Sequence, residues 1–234
     1  MGLVVLPALI PDIEKIYDVY FSAFGNDEMG SIMVDVLFPS GVNAEFRKAH
    51  TAATLDWWHK NLVQYTVKCV DTDTGEIVGM GLGDLYLTER SEEERKNGGV
   101  PWLTGKERER AEAILDPLWA VKEKLLGGNR HMYCHVIGVT PEHQGRRGGV
   151  LLTEWGMELA ERSGVPLYFE SSPSTLAFYQ KLGFETLSEK IVHKKELLGT
   201  ENDIEVPLMV KMPSAAGGMT FEEWRAKGYP KGYK

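Results

Sequence analysis

The stretch Val139-Thr-Pro-Glu-His-Gln-Gly-Arg-Arg-Gly-Gly-Val-Leu-Leu152 limits the possible folds of this chain more than any other. An apolar run, Val136 to Val139, meets the turn marker Pro141. Gln144, three glycines and two arginines follow, and apolar residues then recur at helical spacing. A strand must therefore end and a helix begin within a few residues. Glycine lets the backbone come close to a ligand, and the N–H groups of a first helical turn lack intrahelical partners, so such a turn suits an anion. Arg146 and Arg147 add charge matched to phosphate oxygens. Gly-rich turns also serve as plain connections, so the turn needs a second signal to become specific.

The 234 residues can bury a sizeable core, as one large domain or two small ones. A net charge of −8 argues against a nucleic-acid partner, which needs a basic face. Two cysteines, Cys69 and Cys134, are too few for a disulfide framework; both lie in strand-like runs and read as buried thiols of a cytoplasmic protein. No apolar run approaches the roughly 20 residues of a spanning helix, so no membrane partner is expected. Met1 to Pro7 has no basic n-region and reads as a first strand, not a signal peptide.

Along the chain, Leu3 to Leu6 is a strand, and Pro11 opens a helix with Ile13, Ile16, Tyr17, Tyr20 and Phe24 on one face. Helices over Met29 to Phe38 and about Asn43 to Asn61 follow. Tyr65 to Val70 and Glu76 to Leu87 form a hairpin, in which Gly79, Gly81 and Gly83 signal a bend or close packing. Thr88 to Gly105 is a polar loop, with the acids Glu92 to Glu94 solvated. A helix through Ala111 to Leu125 is kinked by Pro117 and ended at Gly127. His131 to Val139 is a strand, about Gln144 to Ser163 a helix, Val165 to Glu170 a strand and Thr175 to Leu182 a short helix. Glu185 to Val192 and Val206 to Met212 are the last strands. The fold class is mixed α/β: a mixed, mostly antiparallel sheet of six to seven strands with helices on both faces and one strand–helix–strand crossover.

The second signal is Pro166-Leu-Tyr-Phe-Glu-Ser-Ser-Pro-Ser-Thr-Leu-Ala-Phe-Tyr-Gln-Lys-Leu-Gly-Phe184, a strand, a polar turn and a helix ending Phe-Tyr-x-x-Leu-Gly-Phe. In this order and spacing the two motifs, spanning about His131 to Phe184, resemble the GNAT N-acetyltransferase superfamily, which moves an acyl group from acyl-coenzyme A to an amine. A weaker resemblance covers the hairpin and the N-terminal elements. It implies a GNAT domain over 1–213, with an insertion at about 88–130 and an extension over 214–234.

The resemblance implies acetyl-coenzyme A as co-substrate and no metal. Its pyrophosphate turn, Gln/Arg-x-x-Gly-x-Gly/Ala, maps onto Gln144, Gly145, Arg146, Arg147, Gly148 and Gly149. Arg147 stands where the family has its first glycine, so this side chain either crowds the phosphates or grips them. The strand before the turn would pair with the pantetheine arm through Ile137 and Val139, with Gly138 allowing close approach and a backbone N–H polarising the thioester carbonyl. Tyr179 matches the family's tyrosine, which protonates the departing thiolate; an ordinary core tyrosine is the other reading. Ser172 replaces an asparagine common seven residues before that tyrosine.

Family bases lie on the central strand nine or eleven residues before the Gln/Arg, at His135 and Tyr133. An imidazole is the natural base near neutral pH, and Tyr133 shapes the acceptor pocket or shares this role. His131 has the same parity and joins a proton path at most. His50, His59, His143 and His193 read as surface or helix residues. The expected activity is transfer of an acetyl group to a primary amine, on a small molecule or a peptide, by direct attack in a ternary complex. The rival is a catalytically weak or inactive acyl-coenzyme A-binding regulator of the same fold. The acyl chain and the assembly, a homodimer among the options, stay open.

Overall fold

Seven strands and eight α-helices form among the described residues, 2–25 and 27–231, of the computed structural model. The strands are β1 (Leu3–Pro7), β2 (Gln64–Asp71), β3 (Ile77–Tyr86), β4 (His131–Val139), β5 (Leu167–Glu170), β6 (Glu185–His193) and β7 (Ile204–Lys211). The helices are α1 (Ile13–Phe24), α2 (Glu28–Leu37), α3 (Ala44–Lys60), α4 (Gly105–Leu126), α5 (Gly148–Ser163), α6 (Leu176–Lys181), α7 (Lys195–Leu198) and α8 (Phe221–Ala226). The sheet runs in the order β1-β2-β3-β4-β5-β7-β6. β1 with β2, β2 with β3, β5 with β7 and β6 with β7 pair antiparallel, whereas β4 and β5 run parallel. A parallel pair needs a crossover, and α5 supplies it. The mixed sheet expected from the sequence is therefore present, with seven strands.

Local chemistry sets the element ends. Asp27 accepts the Gly30 N–H at 2.9 Å and Asn43 accepts that of Phe46 at 2.9 Å, so each caps the helix that follows it. α4 continues through Pro117 as one 22-residue helix, one backbone donor short, and ends at Gly127 with φ +51°. α5 starts at Gly148, four residues later than its apolar periodicity suggests, because residues 144–147 form the turn itself. No helix among the described residues is long and apolar enough to cross a membrane.

The chain packs into two compact units: the residues up to Leu85 with Cys134–Glu158, and Tyr86–Tyr133 with the residues from Leu159 onward. In the first unit, strand alternation divides the core. Ile137 and Val139 join Val67, Cys69, Val78, Leu152 and Trp155, while Val136 joins Ile16, Val19 and Met80. α5 and α1 thus cover opposite faces of these strands, and each fully buried aliphatic side chain stabilises by roughly 1.5–3 kcal/mol. The close packing signalled by the β3 glycines is real. A Cβ on Gly79 would stand 3.1 Å from Leu152 Cδ1 and 3.1 Å from Cys69 Cβ.

In the second unit, α4 packs against β6 and α7 and buries Ala111, Ile114, Leu125 and Leu126. The segment after Pro213, which the sequence suggested as an extension, joins this core. Phe221 and Trp224 are buried. The Trp224 indole N–H donates to the Pro230 carbonyl at 3.2 Å, and the Tyr229 hydroxyl donates to the Leu125 carbonyl at 2.9 Å. Residues 232–234 lie outside the described residues.

Candidate active site

The turn between β4 and α5 belongs to the first unit and is built from conformations that L-residues avoid. Gly145 has φ +76°, with open space where a Cβ would project. Arg147 has φ +69°, and its carbonyl accepts the Leu151 N–H at 3.0 Å, so it caps α5. This explains why a glycine suits its position: the backbone there is left-handed, and arginine adopts it at a cost of about 1–2 kcal/mol. The Arg147 side chain is exposed. Arg146 turns back, and its Nη2 donates to Asp71 Oδ2 at 2.7 Å, fastening the turn to the β2–β3 hairpin. Its hydrogen bond and charge hold the Asp71 carboxyl below the usual carboxylate range. Gln144 is exposed, with its amide donating to the Val139 carbonyl at 3.3 Å. Gly148 is a close-packed glycine: a Cβ there would stand 3.3 Å from Val139 Cγ2. Gly149 lies in the first turn of α5, where N–H groups have no intrahelical acceptor. Cβ-free, left-handed backbone leading into a helix N-terminus fits a diphosphate.

β4 carries the other candidates of this unit. Gly138 was expected to admit a ligand arm. A Cβ there would stand 3.0 Å from that of Ala23 on α1, so the missing side chain also lets this helix pack closely. Ile137 and Val139 direct their side chains into the core and present only main chain elsewhere. His135 is exposed, and its Nε2 lies 2.8 Å from Oδ2 of the buried Asp84 on β3. Sequence reading missed Asp84. The one signal for it was a lone acid inside the Gly- and Leu-rich strand Gly81-Leu-Gly-Asp-Leu-Tyr86.

Tyr133, on the portion of β4 in the second unit, has different partners. Its hydroxyl donates to Glu170 Oε2 at 2.7 Å, its ring stacks on that of Tyr168 with centroids 6.1 Å apart, and Lys122 Nζ sits 3.9 Å above it. Burial pushes the Glu170 carboxyl up, against the Tyr133 hydrogen bond, the charge of Lys122 and the neighbouring Tyr168 hydroxyl. Burial, reinforced by the Glu170 charge, likewise raises the Tyr168 phenol. Glu170 is a second residue the motifs did not reveal.

Tyr179, on α6, is buried in an aromatic box of Phe169, Phe178 and Phe184, with centroids 4.5, 5.0 and 5.8 Å away. Ser172 precedes α6; its hydroxyl bonds that of Ser174 at 2.9 Å, and its carbonyl accepts the Thr175 N–H at 3.0 Å. His131 is fully buried, with Nδ1 2.7 Å from the Asn129 carbonyl, and belongs to the core. His193 was read as a surface residue but is buried on β6. His50 packs among Tyr17, Phe21, Phe38 and Phe46, and burial lowers its pKa. Glu92 to Glu94 are exposed. Among the described residues no three His, Cys, Asp or Glu side chains gather as metal ligands.

A diphosphate-suited turn, an imidazole on a carboxylate and a phenol in an apolar box are parts that an acyl-transferring enzyme uses. The chain matches the acetyltransferase (GNAT) family over residues 33–184 and belongs to that family. It is 43% identical over 129 residues to an Ajellomyces capsulatus protein named "Probable acyltransferase SID5", a match covering 55% of this chain and 88% of the relative. The fold is similar to that of a Corynebacterium glutamicum protein described as "histone acetyltransferase HPA2 and related acetyltransferase", with a TM-score of 0.56 and 21% identity over 91% of this chain and 97% of the other. It is also similar to mosquito arylalkylamine N-acetyltransferase like 5b, with a TM-score of 0.63 and 13% identity over 90% and 100%.

Proposed function

We propose that this chain is a cytoplasmic, acetyl-coenzyme A-dependent N-acetyltransferase that acylates a primary amine of a small molecule or peptide by direct attack in a ternary complex. The acyl-transfer domain runs over 1–213, with the segment from 214 packed onto it as an extension, and no metal or nucleic acid takes part. The observation that carries this reading is the turn at 144–149, where Gly145 and Arg147 hold left-handed backbone in front of the free N–H groups of α5. Family membership supports the acyl donor. The net charge of −8 and two free cysteines support the partners and the compartment.

In this mechanism Gln144, Gly145, Gly148, Gly149 and the Arg147 guanidinium hold the diphosphate. Arg146 stiffens the turn through Asp71. Main-chain groups at Ile137 and Val139 and the Ser172 hydroxyl receive the pantetheine arm, and a backbone N–H there polarises the carbonyl. Holding amine and thioester together supplies much of the rate. His135 accepts one proton from the attacking amine as the C–N bond forms and the C–S bond breaks. Tyr179 gives one proton to the departing sulfur. Solvent then returns a proton to the phenolate and removes one from the imidazolium, so amine and thioester become amide and thiol. Tyr133 shapes the acceptor pocket.

Calorimetry and steady-state kinetics test this together. Acetyl-coenzyme A should bind the wild-type chain, and Gly149→Glu should abolish binding by bulk and charge. Tyr179→Phe should bind normally but turn over roughly 10²-fold more slowly. Wild-type affinity in Gly149→Glu removes the turn from the mechanism. Tight binding with no turnover across peptides, polyamines and arylamines would make the chain a coenzyme-binding regulator instead.

A further inference from the structure

We infer that Asp84 is a positioning residue: it fixes His135 as the Nε2–H tautomer, so that Nδ1 is the atom that takes the proton of the incoming amine. This rests on the reading of His135 as the base and goes beyond it by assigning the atom and its orienting partner.

Asp84 is buried on β3, while His135 on the neighbouring β4 is exposed, so the pair joins the interior to the surface. The 2.8 Å separation of Nε2 and Oδ2 is that of a charge-assisted hydrogen bond. An ionised carboxylate can only accept, so Nε2 carries the hydrogen. A neutral imidazole has one N–H, and with that hydrogen on Nε2 the lone pair is on Nδ1. Proton uptake at Nδ1 gives an imidazolium whose charge lies against Asp84. The carboxylate therefore favours the product of the proton transfer as well as the orientation of the ring. A buried acid inside a strand is costly unless partnered, and His135 is such a partner. The titratable groups near the pair include Tyr65 of β2, whose titration responds to both Asp84 and Cys134, and Cys134 beside His135 on β4. Burial holds the Tyr65 phenol far above neutrality, so it stays uncharged through the working range.

Nitrogen-15 correlation spectra of the wild-type protein at neutral to mildly alkaline pH read the tautomer without any substitution. His135 should show a protonated Nε2 and a pyridine-like Nδ1; the opposite pattern overturns the assignment. In kinetics, Asp84→Asn offers a carboxamide of the same shape that can face either way and carries no charge. The kcat should fall on the order of 10²-fold, while KM for acetyl-coenzyme A should stay within about twofold. Asp84→Glu should restore part of the rate. If His135→Gln keeps the wild-type kcat, the base reading fails and the dyad with it. If His135→Gln is slow but Asp84→Asn matches wild type at every pH, the base stands and the positioning role is refuted. Unchanged acetyl-coenzyme A binding in Asp84→Asn shows that the variant is folded. Should it not fold, the wild-type tautomer decides alone.

Discussion

Arg147 sits in a backbone conformation made for glycine, and a single substitution separates its two effects. Relief of left-handed strain favours Arg147→Gly by about 1–2 kcal/mol, and the extra freedom of glycine in the unfolded chain returns roughly 0.5–1 kcal/mol of that. The net expectation is a stability gain of up to ~1.5 kcal/mol in urea unfolding. If the guanidinium grips phosphate oxygens, the same variant should bind acetyl-coenzyme A roughly tenfold more weakly, the loss of one charge-assisted hydrogen bond. Tighter binding would show that the side chain crowds the ligand. The sequence exposed this residue as an oddity within a motif, because glycine spacing is visible in one dimension. Asp84 and Glu170 were not visible in that way. Their significance lies in which side chain crosses to meet them, His135 in one case and Tyr133 in the other, and neither pairing is local.

Among the elements, those with a strong period were legible to within a residue or two. β4 was read as His131 to Val139, the span it occupies, because apolar residues and β-branching end there at Pro141. The start of α5 was misplaced, since Gln144 and its neighbours satisfy helical periodicity until the positive φ of Arg147 delays the first turn to Gly148. The β3 glycines show the same interplay of pattern and packing. Gly79→Ala should destabilise by about 1–3 kcal/mol in urea unfolding. The flexible tip of Leu152 can yield, but the Gly138 carbonyl, 3.2 Å from the new Cβ, is backbone and cannot. That penalty exceeds the ~0.4–1 kcal/mol an alanine gains through the unfolded state. An unchanged midpoint would mean that β3 and β4 separate without cost to admit a methyl group.

For the molecule as a whole, the unexpected feature is how much the second unit depends on its last helix. Its sequence, with paired glycines and a charged stretch, gave no period long enough to mark a core element. Phe221 and Trp224 are nonetheless buried, and Arg225 reaches Glu189 on β6. Trp224→Ala should cost about 3–5 kcal/mol, the range for emptying a large aromatic site. The loss should appear in hydrogen exchange as weakened protection of α4 and β6. Protection left at wild-type levels would reduce α8 to an ornament. The order of the chain then matters during synthesis. Every residue of the first unit precedes Leu159, whereas the second needs residues as late as 226. On the ribosome, the half bearing the phosphate-suited turn can therefore condense while its companion still lacks a wall, leaving β6 without its Arg225–Glu189 contact until α8 emerges. A nascent chain halted between these points is the form of this protein most in need of a chaperone.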